Sequence, residues 1–307
     1  MAATTVSADE PMALPTTAPR AGGPTASGRR FLLHSFLAVM ALGWLFPVAW
    51  ALLNSFRDYA YTAQHGYASF GGWTIANYHD AWVRGDFGHY FVNSVVITLP
   101  AVVLSLFLAS MVGFVLARFS FRWNLTLLGL FTAANLLPQQ SLLVPVFRMF
   151  RAIHVPFWVS DSGTLLNSFV GLILVNVAFQ TGFCTFVLSN YMKTLPKELY
   201  EAAEVDGASV FRQWWQITMP LCRPPLAALA VLEVTWIYNE FFWATVLLQD
   251  PTKYPITSSL NNLRGAFFTN NNLVAAASVI IAVPTLVVFF VLQRQFVAGL
   301  ALGATKG

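Results

Sequence analysis

Residues 195–220 read LPKELYEAAEVDGASVFRQWWQITMP and form a polar segment between two long apolar blocks. Pro196 suits the first turn of a helix, because its missing N–H would have no intrahelical partner there. Gly207 can adopt the left-handed conformation that ends a helix, and Ser209 can cap the helix that follows. Pro220 then ends that second helix. The segment therefore predicts two short helices that are joined at a glycine.

We call this segment, at about residues 189–223, the elbow. The blocks on either side of it are long enough to cross a membrane, which takes about 20 residues. Of the whole chain, 57% is hydrophobic and only 10% is charged, whereas a soluble domain carries about 25% charged residues. The alternating pattern of an outer-membrane barrel is missing.

We therefore predict an all-α polytopic membrane bundle. A flexible tail is expected over residues 1–30, and a six-span domain over residues 31–307. The six predicted spans are Phe31–Leu53, Phe91–Leu116, Leu125–Val146, Leu165–Leu188, Leu226–Leu248 and Leu273–Leu292.

The third predicted span contains a polar break, because Pro138 is followed by Gln139 and Gln140, with Pro145 close behind. A proline inside a helix removes a backbone hydrogen bond. We expect this span to be bent or locally unwound, and an ordinary proline kink is the alternative.

The distribution of basic residues predicts the orientation of the spans. Cytoplasmic loops carry an excess of Lys and Arg, and an N-terminus inside gives eleven such residues on the inner side against six on the outer side. Both termini are therefore predicted to be cytoplasmic. The inner residues are Arg20, Arg29, Arg30, Arg118, Arg122, Lys193, Lys197, Arg212, Arg223, Arg294 and Lys306. The outer residues are Arg57, Arg84, Arg148, Arg151, Lys253 and Arg264.

Several kinds of chemistry are missing from the sequence. It has no G-x-x-x-x-G-K-[ST] phosphate loop, no H-E-x-x-H and no G-x-S-x-G. The five histidines are scattered through loops and span edges, so we predict no catalytic residue, no metal site and no cofactor. The net charge of +4 is too weak and too dispersed for nucleic-acid binding. The function classes that remain are transport, signalling and scaffolding.

The elbow resembles the EAA loop of ATP-binding-cassette importer permeases. It has the family's residue types and spacing at Glu201, Ala202, Ala203, Gly207, Ile217 and Pro220. The family pattern has Leu-Pro where this chain has Met219-Pro220. Residues 195–209 are similar to the carbohydrate branch, as are residues 239–243 (NEFFW) and the ending from Gln293 to Gly307.

This resemblance implies the type I importer permease fold, in a bacterial-type cytoplasmic membrane. It also implies a second homologous permease subunit, a cytoplasmic ATPase dimer, an extracytoplasmic solute-binding protein and a sugar substrate. In such importers the EAA loop sits in a groove on the ATPase. Closure of the ATPase dimer would then move the elbow and switch the bundle between inward and outward opening. The chain itself would hydrolyse no ATP.

The polar residues inside the spans are candidates for a translocation path. Glu233 and Glu240 are seven residues apart, which places them on nearly one face of a continuous helix, about 10.5 Å apart. A carboxylate in the membrane is costly and should face the bundle interior or a water-filled path. The partner of Glu240 is therefore expected on another span or on a second permease subunit. The other candidates are Trp236, Asn239, Gln139 and Gln180, and interhelical hydrogen bonding is the alternative for such residues.

Three other functions are compatible with the sequence. The same fold would serve the import of another polar solute, such as a polyol, glycerol phosphate or amino sugar. A secondary transporter would use Glu233 and Glu240 as proton sites but would need no EAA loop. A membrane scaffold that transports nothing is the least favoured.

Overall fold

A computed structural model describes residues 24–263 and 269–304. These residues form helices and turns, without a β-strand in either range. The helices are α1 (Pro24–Ser55), α2 (Tyr59–His65), α3 (Ala76–Arg84), α4 (Phe87–Arg118), α5 (Asn124–Leu136), α6 (Leu143–Ala152), α7 (Phe169–Met192), α8 (Glu198–Val205), α9 (Val210–Arg212), α10 (Met219–Leu221), α11 (Arg223–Tyr238), α12 (Phe242–Leu247), α13 (Ile256–Ser259) and α14 (Asn271–Ala304). Short 3₁₀ turns cover Gln139–Leu142, Pro251–Lys253 and Leu260–Leu263, and a π-helix covers Gln213–Thr218.

The chain divides into two compact units at Trp50. The described part of the first unit is the greater part of α1. This helix begins at Pro24, seven residues before the predicted first span, since a proline is well suited to the start of a helix. Residues 1–23 of the predicted tail lie outside the described residues, and so do Arg20, Arg264 and Lys306 from the charge count.

Four helices are long and apolar enough to cross a membrane, namely α1, α4, α7 and the start of α14. The count reaches six when two bent helix pairs are each taken as one span. The first pair, α5 with residues 139–152, bends by 97° and overlaps the predicted third span. The predicted break after Pro138 is thereby confirmed.

The fifth predicted span, Leu226–Leu248, is not one helix. α11 ends at Tyr238, and α12 begins at Phe242 after a three-residue break. At its other end α11 is bent by 76° from the second half of the elbow. The predicted continuous helix is therefore wrong in its last third, and the side chain of Glu240 accounts for the break, as described below.

The centre of the second unit is built from α4, α7 and α11. These helices enclose two apolar clusters, one above the other along their length. One cluster includes Val102 of α4, Val177 of α7 and Ile237 of α11, and the other includes Ala109, Cys184 and Leu229 from the same helices. α14 packs along α11 and α3.

Polar contacts close the end of the bundle where α7 begins. The Asn167 side chain accepts hydrogen bonds from the backbone N–H groups of Gln249 (3.0 Å) and Asp250 (2.9 Å). Lys253 Nζ lies 2.6 Å from Asp161 Oδ2. Donation from Thr252 lowers the pKa of the Asp250 carboxyl below its usual value. These contacts hold the segment after α12 against the start of α7.

Candidate functional site

The turn of the elbow has the predicted geometry. Gly207 has φ +71°, and α8 ends just before it. Ala208 N–H donates to Ala203 O at 2.8 Å, and Gly207 N–H donates to Glu204 O at 3.0 Å, which satisfies carbonyls that the end of α8 leaves free. The Ser209 hydroxyl accepts from Arg212 N–H and caps α9, as predicted.

The two elbow prolines differ from their predicted positions. Pro196 precedes α8, which begins at Glu198, instead of occupying its first turn. Pro220 does not end the second helix, which runs on to Leu221. The π-helix over Gln213–Thr218 explains the position of Pro220. Its wider turn changes the hydrogen-bond register before the proline, and the Thr218 hydroxyl donates to Gln213 O at 3.2 Å.

Aromatic packing and one ion pair hold the elbow to the ends of the spans. Tyr200 and Trp214 are buried in the apolar cluster that contains Cys184. The Tyr200 hydroxyl lies 3.0 Å from the Thr218 hydroxyl, and burial raises the pKa of Tyr200 above its usual value. Arg118, the last residue of α4, lies 2.6 Å from Glu204 of α8. A movement of α8 would therefore be transmitted to α4.

The opposite face of the elbow is exposed. Of the residues that match the EAA pattern, Glu201, Ala202, Gly207 and Pro220 are exposed, Ile217 is half-buried and Ala203 is buried. Beside them the apolar side chains of Val205 (88% exposed), Val210 and Phe211 also point outward. This surface combines apolar side chains with carboxylates and fits a protein partner.

A second feature is an open cavity of about 500 Å³, lined by amide, carboxylate and aromatic side chains. It lies where the broken third span, α7 and the end of α11 meet. Five of the six predicted path residues line it, and aromatic rings complete its wall. The lining residues are Gln139, Asn176, Phe179, Gln180, Trp236, Asn239, Glu240, Phe241, Phe242 and Trp243.

The cavity lies at the same depth on two helices. Gln180 is twelve residues before the end of α7, and Trp236 is thirteen residues after the start of α11. A rise of 1.5 Å per residue puts both about 18–20 Å from the elbow end of the bundle. The hydrocarbon core is about 30 Å thick, so this depth is within it.

Glu240 is not paired as predicted. The prediction placed its partner on another span or on a second subunit. The carboxylate instead accepts hydrogen bonds from the backbone N–H groups of Trp243 (2.6 Å) and Ala244 (3.0 Å), in the first turn of α12. The freed Glu240 carbonyl accepts from the Thr257 hydroxyl at 3.2 Å. A carboxylate that caps its own chain interrupts the helix, because these amides no longer bond to carbonyls of the preceding turn.

Glu233 is separated from the cavity. Its side chain is completely buried, and Cys184 Sγ donates to Glu233 Oε1 at 3.2 Å. Glu233 Oε2 has no partner among the described residues. The predicted shared face with Glu240 fails because α11 ends at Tyr238, so the helical spacing does not continue to Glu240. Glu233 therefore joins α11 to α7 below the cavity.

Phe179 is a lining residue that the sequence did not indicate. Its ring stacks on that of Trp243 at a centroid distance of 5.5 Å. Phe179 precedes Gln180 on α7, but an apolar ring in an apolar span gives no sequence signal of its own. The Phe241–Trp243 aromatic run beside Glu240 was the available clue to this wall.

The apolar spans, the cavity and the exposed elbow are together typical of a polytopic transport permease. Comparison with known proteins agrees with this class. The chain belongs to the family of binding-protein-dependent transport system inner membrane components, whose model matches residues 68–301. This is a transport family and not a catalytic one. The chain is accordingly a multi-pass membrane permease.

Two curated relatives are similar over most of the chain. The diacetylchitobiose uptake system permease protein NgcG of Streptomyces coelicolor is 30% identical, and the match covers 92% of this chain and 91% of NgcG. The melibiose/raffinose/stachyose import permease protein MelC of Bacillus subtilis is 32% identical over 75% of this chain and 80% of its own.

A solved structure has the same fold. It is a chain of a bacterial ATP-binding-cassette transporter involved in the import of the acidic polysaccharide alginate. The TM-score is 0.71 at 22% sequence identity, and the match covers 91% of this chain and all of that one.

Proposed function

We propose that this chain is a permease subunit of an ATP-driven sugar importer and forms part of the translocation path. NgcG and MelC are named for oligosaccharide uptake, and the transporter with the same fold imports a polysaccharide. The substrate class proposed here is accordingly a carbohydrate. The particular sugar would be selected largely by the solute-binding protein.

The observation that carries this proposal is the open cavity, which lies within the depth of the hydrocarbon core. Amide side chains from Gln139, Gln180 and Asn239 line it together with the exposed ring of Trp236. The side chains of Gln139 and Gln180 have no hydrogen-bond partner within the described residues, so their donors and acceptors are available to hydroxyl groups. Amides and flat aromatic faces are suited to sugars, whose rings have polar edges and apolar faces.

Energy would enter through the elbow. In this proposal the exposed face with Glu201, Ala202 and Gly207 docks in a groove of a cytoplasmic ATPase, and ATP is hydrolysed there. The Arg118–Glu204 ion pair and the buried Tyr200 would pass the movement of α8 to α4 and α7. The full importer would comprise two ATPases, a second homologous permease and an extracytoplasmic binding protein. Both termini would be cytoplasmic, in the cytoplasmic membrane.

Uptake by the reconstituted importer tests this function. Proteoliposomes that contain the assembled complex, with binding protein outside and ATP inside, should accumulate a radiolabelled oligosaccharide. They should not do so when a non-hydrolysable ATP analogue replaces ATP. Accumulation driven by a proton gradient without ATP would contradict the proposal and favour a secondary transporter. ATP-dependent uptake of a polyol or glycerol phosphate but of no sugar would keep the fold and replace the substrate class.

A further inference from the structure

A small cleft lies where α4 and α7 end beside the elbow. Its volume is about 40 Å³, which is too small for a sugar. Three basic side chains and an apolar floor surround it. We call it the basic cleft, and its main residues are Arg118, Lys193, Lys197, Phe114, Ala117 and Met192.

The positive charge in the basic cleft is incompletely balanced. Lys193 and Lys197 are exposed, and neither has a carboxylate within 4 Å in the described part of the chain. Arg118 pairs with Glu204, but its Nε is buried and has no acceptor among the described residues. Of the three cations, only Arg118 has a carboxylate within 4 Å among the described residues, so the cleft carries an excess of positive charge.

The position of the basic cleft points to a lipid. α4 and α7 are membrane-spanning helices. Arg118 is the last residue of α4, and Lys193 is the C-cap of α7. The cleft therefore lies at the depth of the headgroups. Just beyond α4 the Arg122 guanidinium lies 4.9 Å from the centre of the exposed Trp123 ring. Trp and Arg side chains of this kind are typical of the membrane–water interface.

We propose that the basic cleft binds the phosphate group of an anionic phospholipid in the leaflet on the elbow side. Lys193 and Lys197 would contact the phosphate group, Arg118 would add positive charge beside it, and Phe114, Ala117 and Met192 would contact the start of an acyl chain. Arg118 would then join the lipid to Glu204 of the elbow. This site depends on the membrane-spanning fold and not on which solute is transported.

Native mass spectrometry of the purified complex tests this site. Phosphatidylglycerol is added after the complex has been washed with detergent, and the lipid retained by Lys193→Gln/Lys197→Gln is compared with wild type. Each basic residue near a membrane surface contributes about fivefold to the binding of anionic lipid, so the double variant should bind about 30-fold more weakly. The matched control is Arg148→Gln/Arg151→Gln, which removes two exposed arginines from α6 and should bind as wild type does.

Three results would overturn the proposal. Equal retention of phosphatidylglycerol by wild type and the Lys193/Lys197 double variant would remove the site. Equal retention of phosphatidylcholine and phosphatidylglycerol by wild type would show that the negative charge is not recognised. Full displacement of the lipid by millimolar inorganic phosphate would assign the cleft to a free anion. Because none of these measurements involves sugar uptake, they leave the proposed transport function untouched.

Discussion

Glu240 determines how the C-terminal part of the fifth span folds. A continuous helix would use the amides of Trp243 and Ala244 for bonds to the preceding turn, but the Glu240 carboxylate accepts both of them. The chain therefore turns at residues 239–241 and places Phe242 and Trp243 in the cavity wall. One side chain thus provides a polar group at the cavity and fixes the aromatic wall next to it.

Replacing Glu240 should separate these contributions. Glu240→Gln keeps one acceptor oxygen and should retain partial sugar uptake. Glu240→Leu removes both bonds and should abolish uptake, because the lost cap destabilises α12 by about 1 kcal/mol and releases the Phe242–Trp243 wall. The measurement is ATP-dependent uptake, with ATPase co-purification as the check on assembly. Gln140→Leu, next to the cavity residue Gln139 but outside the lining set, is the control. Normal uptake by Glu240→Leu would deny Glu240 any role in transport.

Gly207 is the residue on which the shape of the elbow depends. At φ +71° a side chain costs about 1–2 kcal/mol, although an added Cβ would meet no atom within 4 Å. Gly207→Ala should therefore lower the thermal stability of the elbow and weaken ATPase co-purification through backbone strain alone. Gly129→Ala provides the comparison, since its Cβ would also be free of contacts but its backbone is helical. That change should be neutral or stabilising. Equal effects of the two substitutions would mean that the left-handed turn is not needed.

At the level of helices, breaks in the spans form the cavity, and only one of them was visible in the sequence. Pro138 followed by two glutamines indicated the 97° bend of the third span. The break after α11 has no proline or glycine, because a side-chain carboxylate causes it. The π-helix over Gln213–Thr218 was equally hidden, since its sequence also suits an α-helix. The boundaries of spans two, four and six needed only a continuous apolar block and were predictable to within a few residues.

α5 packs closely against α7 at Gly182, and a substitution there tests this helix contact. A Cβ on Gly182 would lie 2.8 Å from the backbone oxygen of Phe131 and closer still to Asn135 Nδ2. Gly182→Ala should therefore push α5 outward and lower the unfolding free energy by about 1–3 kcal/mol. Gly113→Ala, whose Cβ would lie 3.2 Å from Ser189 N, should cost less. Thermal melts of the purified complex give the order, and a reversed order would contradict this packing.

At the scale of the whole molecule, the elbow and the cavity lie at different levels of one bundle. Five of the predicted path residues line the cavity, because polar side chains inside apolar spans are visible in the sequence. Glu233 does not line it, because its side chain is turned to Cys184 of α7. The partners of the elbow stay a prediction, since a single chain holds only one side of each interface.

The two ends of α7 place Lys193 and Lys253 at opposite ends of the bundle. Lys193 caps the last residue of this helix, and Lys253 Nζ donates to Asn167 O just before its first residue. α7 is 24 residues long, or about 36 Å. Reporter fusions after Lys193 and after Lys253 should therefore show opposite sides, cytoplasmic and external respectively. Reporters on one side in both fusions would exclude the six-span topology.

The most direct test of the central claim is cross-linking from the elbow to the ATPase. Val205 is 88% exposed on α8, and the two native cysteines are buried and free. Val205→Cys, labelled with a photoactivatable maleimide in the assembled importer, should form an adduct with the ATPase subunit. Phe157→Cys, exposed at the opposite end of the bundle, should form none. An adduct from Val205 alone is the predicted result, whereas no ATPase adduct from a fully labelled Val205→Cys complex would contradict the elbow as the coupling element.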